Sequence, residues 1–130
     1  MNGHLRSYLR VIAALLTLAG LASAHDATKE IAFFEKRIRP VLVQSCYECH
    51  AAKAEEIGGG LLLDTREGTR KGGESGHAVV PKNLGNSLLM DAIQYKTTEM
   101  PPNERLPDIV VADFRRWIQM GAPDPRDGSS

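Results

Sequence analysis

Cys46-Tyr47-Glu48-Cys49-His50 constrains this chain more than any other stretch of its 130 residues. On a helical turn two thiols at i and i+3 share one face, about 5–6 Å apart at Cβ. C-x-x-C-H is the attachment sequence for a c-type haem. The thiols form thioethers to two vinyl groups on one side of the porphyrin, and the adjacent imidazole is led under the iron as proximal ligand. A structural zinc site asks for four ligands, whereas the chain has two cysteines in all. A Cys46–Cys49 disulfide or a thioredoxin-like pair explains the thiols but not His50, and no βαβ pattern surrounds them.

Residues 1–24 read as a secretory signal. Arg6 and Arg10 form a basic n-region, Val11–Leu21 an apolar core and Ala22-Ser23-Ala24 a small-x-small cleavage site. That 11-residue core falls short of the roughly 20 residues a spanning helix needs, so cleavage before His25 is expected rather than an anchor. No cysteine ends the h-region to carry a lipid. The product is expected to be exported, in the periplasm, without strong membrane association. Loss of Arg6 and Arg10 turns the balance of 16 basic and 16 acidic residues slightly acidic. Such a surface offers no basic field for nucleic acid.

Residues 25–130 are expected to form one small domain with a modest core of its own. Its aromatics are Phe33, Phe34, Tyr47, Tyr95, Phe114 and Trp117, and haem would supply missing apolar mass. Residues 26–44 carry Ile31, Phe34, Ile38, Val41 and Leu42 at helical spacing. Pro40 is expected to end that helix near Arg37–Arg39 and begin a second short turn carrying 46–50. Residues 51–81, rich in glycine, read as a wrapping loop with one helical turn over Thr65–Lys71. A helix of about two turns follows a polar cap at Asn86-Ser87. After a Pro-bearing loop from Lys96 to Pro107, a last helix spans Asp108–Met120, with Val110, Phe114, Trp117 and Ile118 on one face and Gly121 past its end. Few β-branched residues alternate with polar ones, so the class is all-α.

The distal side of a haem iron needs its own account. Met100 stands in Glu99-Met100-Pro101-Pro102, where the prolines stiffen an extended strap able to hold a thioether against iron. Met90 and Met120 sit among apolar neighbours in helix patterns and read as core. His77 lies in flexible backbone and reads as a solvated side chain or an alternative ligand. An open or water-bound site is the remaining option. The N-terminal His25 has no second histidine placed to make a copper site with it. The residues at Leu61–Leu63 and Trp117 are expected to wall the pocket. Arg66, Arg70 and Lys71 are either propionate partners or a solvated face.

Taken together, these segments resemble the planctomycete-type cytochrome c domain, a relative of small class I cytochromes c. The resemblance is carried by Phe33-Phe34-Glu35-Lys36-Arg37-Ile38-Arg39-Pro40-Val41-Leu42, the 46–50 motif and Gly60-Leu61-Leu62-Leu63-Asp64. It continues through Gly72-Gly73-Glu74-Ser75-Gly76, Val80-Pro81, Ser87-Leu88-Leu89, Glu99-Met100-Pro101-Pro102 and Arg116-Trp117-Ile118-Gln119-Met120-Gly121-Ala122-Pro123. It implies a small cytochrome c-like fold of three to four helices around one covalent haem c on Cys46 and Cys49, with His50 and Met100 as axial ligands of the iron. The expected function is one-electron transfer between redox partner proteins, without a catalytic group. The domain's standing alone favours a free carrier. A haem peroxidase or gas sensor with an open distal site, and a haem-stapled interaction module, are the alternatives. A dihaem peroxidase would need a second attachment motif.

Overall fold

Pro40 does not break the first helix. The structure is a computed structural model that describes residues 25–126, so the expected signal segment 1–24 lies outside the described residues. The chain divides into two compact units, 1–30 and 31–130. In the first, residues 25–30 are helical; the remainder of the description concerns the second. There residues 31–33 are α-helical and Phe34–Ile38 wind as a π-turn, with the Arg39 N–H donating to the Phe34 carbonyl. α1 (Arg39–Ser45) follows directly, with Pro40 in its first turn. A proline lacks a donor and crowds the carbonyl four residues back. Widening the preceding turn to an i→i−5 bond gives that carbonyl room, so the helix winds on where a break was expected.

The widened turn keeps Phe34, Ile38 and Leu42 on one stripe, all fully buried. Cys46 then leaves helical geometry at φ −126°, and α2 (Tyr47–His50) is a separate single turn. The glycine-rich segment carries the expected helical turn and one more. It contains a 3₁₀ turn at Gly58–Gly60 and α3 (Arg66–Lys71), capped where the Thr65 hydroxyl accepts from Gly68 N–H. Gly72 sits at φ +79°, and a Cβ there would fall 1.8 Å from the Gly76 carbonyl oxygen, so this crossing needs glycine. Backbone bonds from Glu74 N–H to Gly59 and from Val79 N–H to Thr69 staple the segment down.

α4 (Leu88–Ile93) is the short helix expected after Asn86-Ser87. Ser87 is not its side-chain cap, however. Its buried hydroxyl accepts from Val80 N–H and reaches the Asn83 and Val80 carbonyls, closing the loop before the helix. α5 (Asp108–Gln119) buries Val111, Phe114, Trp117 and Ile118. Val111 is its more deeply buried valine, and Val110 is partly buried, packed against the core. Trp117 packs 5.7 Å from Phe34 and 6.1 Å from Phe114, ring centre to ring centre. Arg37 pairs with Asp113 at 2.7 Å across this junction.

Met90 is in the core as expected. Met120 is not: it ends α5 half-buried and outside the core cluster. Beyond it Gly121 (φ +111°) and Ala122 (φ +50°) reverse the chain. The Trp117 indole N–H then holds the Pro123 carbonyl at 2.9 Å, aiming residues 124–126 back toward α2. Besides the helical residues that lead into the π-turn, the described residues hold the five α-helices α1–α5 and no strand, only isolated bridges at Gly73–Gly76 and Val80–Asn83. The class is all-α.

Candidate functional site

The 46–50 turn closes on itself through Cys49 N–H and His50 N–H, both donating to the Cys46 carbonyl at 3.3 and 2.9 Å. That places both thiols and the imidazole on one turn, and Cys46, Cys49 and His50 all line one cavity of about 1000 Å³. This is the upper end of small-molecule sites, room for a large rigid ligand. Leu61, Leu63, Ala78, Leu89, Ile93 and Leu106 give it apolar walls, and Met100–Pro107 forms another side. Of the residues expected to wall the pocket, Leu61 and Leu63 do so. Trp117 does not, because it is spent in the aromatic core behind.

Both thiols are free. Cys49 is exposed, whereas burial pushes the Cys46 thiol up to about 11. Cys46 is therefore a neutral, apolar-facing group at ordinary pH rather than a ready thiolate. His50 is packed tightly: a Cβ on Gly58 would lie 3.1 Å from its Cε1. Its Nδ1 is buried without a hydrogen-bond partner. An imidazole at the wall of a large apolar cavity, on the same turn as two free thiols, fits a covalently attached haem better than a closed structural role.

Met100 lines the same cavity and is 36% exposed. Its backbone N–H donates to Ala92 at 3.3 Å, and the strap beyond is tied by the Tyr95 hydroxyl donating to the Pro101 carbonyl. The Met100–Pro101 peptide is cis. His77 is not among the lining residues. Its Nδ1 lies 2.8 Å from the Arg70 carbonyl, on the exposed side of the loop. Arg66 and Arg70 are also outside the cavity, donating to the Asp124 and Ala122 carbonyls at 3.2 and 3.4 Å. The cation among the lining residues is Arg105, set 5.8 Å from the Tyr95 ring centre.

The sequence reading missed Arg126. Its guanidinium binds Asp124, the Tyr47 hydroxyl and the Leu63 carbonyl under the 46–50 turn. Burial works against its charge. The hydrogen bond and attraction of Asp124, with Tyr47, outweigh that and raise its pKa. Burial likewise raises the Tyr47 phenol, opposed by Arg126. No local pattern announces this network, whose contacts span 79 and 63 residues.

Residues 46–104 match the family model described as Planctomycete cytochrome C. No curated protein and no solved structure matches the chain.

Proposed function

We propose that the planctomycete-type cytochrome c domain of this chain is an exported one-electron carrier with His50 and Met100 as axial ligands. A c-type cytochrome carries haem c. The observation that supports the ligand pair is that Met100 opens onto the same cavity as Cys46, Cys49 and His50, while His77 does not. Haem, when bound, supplies an iron that changes by one charge between ferric and ferrous forms.

The chain's residues provide attachment, orientation and dryness. Cys46 and Cys49 hold the porphyrin through thioethers, His50 ligates from the turn, and Met100 offers a thioether from the strap. The leucines and Ile93 exclude water, which favours a small charge change over binding of a polar substrate. Arg105 is the cation available to a propionate, in place of Arg66, Arg70 or Lys71. The slightly acidic surface gives nucleic acid no purchase, leaving redox proteins as partners. No helix among the described residues is long and apolar enough to cross a membrane.

The test is the exported protein itself. Its intact mass should exceed the polypeptide from His25 by one haem that survives acid-acetone extraction, and amino-terminal sequencing should read His25-Asp26-Ala27. The ferric form should show the weak long-wavelength charge-transfer band of sulfur ligation, and the ferrous form should bind carbon monoxide poorly. An unmodified mass from cells competent in haem attachment would refute the haem reading. Ready carbon monoxide binding without the sulfur band would refute the carrier.

A further inference from the structure

The turn that bears Cys49 and His50 is held from beneath by a residue far along the chain. Arg126 Nη1 donates to the Tyr47 hydroxyl at 2.5 Å and to the Leu63 carbonyl at 2.6 Å. Its Nε and Nη2 donate to Asp124 at 2.9 and 2.5 Å, and its guanidinium carbon lies 4.9 Å from the centre of the Phe34 ring. Both side chains of the pair are almost completely buried, 7% and 2% exposed. Leu63 carries the contact onward: its N–H donates to the His50 carbonyl at 2.7 Å. One guanidinium thus fixes Tyr47, one of the two residues between the cysteines, directly and the histidine through a single intermediary.

A buried ion pair is a costly source of stability, since desolvation offsets much of its attraction. A planar fork of donors is better suited to fixing geometry. The His50 ring has no hydrogen bond at Nδ1 to orient it, in contrast to the usual second partner of a metal-bound imidazole. Its orientation is left to the backbone of its turn and the Gly58 wall. We propose that Arg126 is a positioning residue for His50: through Tyr47 and Leu63 it holds the attachment turn in the orientation that points the imidazole at the iron. This rests on His50 being the proximal ligand, as proposed above.

The haem-loaded full chain tests it with Tyr47→Phe, Arg126→Lys and Arg126→Met, and with Val111→Ala as a core truncation in α5. The measurements are the midpoint potential, the paramagnetically shifted His50 ring resonances and hydrogen exchange at the Leu63 amide. Tyr47→Phe and both Arg126 variants should displace the His50 resonances; in the Arg126 variants, which lose or weaken the tie to the Leu63 carbonyl, exchange at the Leu63 amide should also accelerate, by about tenfold, as the segment it belongs to loosens. Arg126→Met should also lower the potential, because the Asp124 charge is left uncompensated behind the turn. Arg126→Lys keeps the charge but not the fork, so it should restore the potential without restoring the resonances. Val111→Ala should lower thermal stability and move none of these. If Tyr47→Phe and Arg126→Lys lower only thermal stability, with resonances and potential as in wild type, the positioning role is overturned. Should Arg126→Met fail to fold, Tyr47→Phe decides alone, since it leaves the ion pair intact. A wild-type chain without haem would instead defeat the ligand assignment itself.

Discussion

The two sides of the cavity are built differently. The side that bears the 46–50 turn is stapled by backbone and guanidinium bonds from two distant segments, Leu63 and Asp124–Arg126; the ion pair behind the turn is buried, while Glu48 and Cys49 on the turn are exposed. The strap that carries Met100 has two ties, at Ala92 and between Tyr95 and Pro101, and much of it is exposed. Attachment chemistry needs both thiols and the imidazole in register at once, which a bonded turn provides. A thioether on a proline-stiffened strap can wait to be positioned by the ligand it meets. The contrast implies that perturbing the proximal side costs folding, whereas perturbing the distal side costs ligation.

The largest effect that would break this comparison concerns Asp124. Asp124→Ala strands the buried Arg126 charge, and urea titration should show a loss of about 3–5 kcal/mol. A loss under about 1 kcal/mol would mean that the proximal network is not what holds the turn. Met90→Ala empties a core site and should cost about 2–5 kcal/mol. Met120→Ala, half-buried at the end of α5, should stay near the roughly 0.5 kcal/mol expected of ordinary surface changes. Equal costs for the two methionines would contradict the packing described.

Met100→Ala sharpens the comparison from the other side. In the chain before haem attachment it should alter stability by under about 0.5 kcal/mol. In the loaded protein it should abolish the sulfur charge-transfer band, lower the potential and admit carbon monoxide. A band that survives would identify another ligand. The smallest effect lies within the attachment motif: before haem is attached, iodoacetamide at about pH 8 should modify exposed Cys49 ahead of Cys46. Because burial raises the Cys46 thiol to about 11, the stability it contributes is present below the ordinary thiol range. That stability is lost as pH climbs through about 11. Faster labelling of Cys46 would show the turn to be open.

The helical stripe at Phe34, Ile38 and Leu42, the helical turn within Thr65–Lys71 and the last helix from Asp108 were legible because they are local. Periodicity and capping act over a few residues and leave their mark in order along the chain. Pro40 misled for the same reason: its local preference is to end a helix, and only the packing of Phe34 and Ile38 against α5 makes a π-turn the better outcome. The deeper burial of Val111 than of Val110 and the half-burial of Met120 are similar, since small differences in helix rotation depend on what the helix faces.

By itself the sequence carried the reading of the site's chemistry. C-x-x-C-H names its own attachment geometry, and Met100-Pro101-Pro102 marks a stiffened strap, because covalent spacing and fixed φ angles need no tertiary context. Tertiary structure alone decided which cations and histidines serve the cavity. It turned His77, Arg66 and Arg70 to backbone carbonyls elsewhere, placed Arg105 in the wall, and brought Arg126 beneath Tyr47. Those outcomes depend on the reversal at Gly121 and Ala122 and on contacts across most of the chain. Side-chain chemistry is written residue by residue, but the company each side chain keeps is set only when distant segments close on one another.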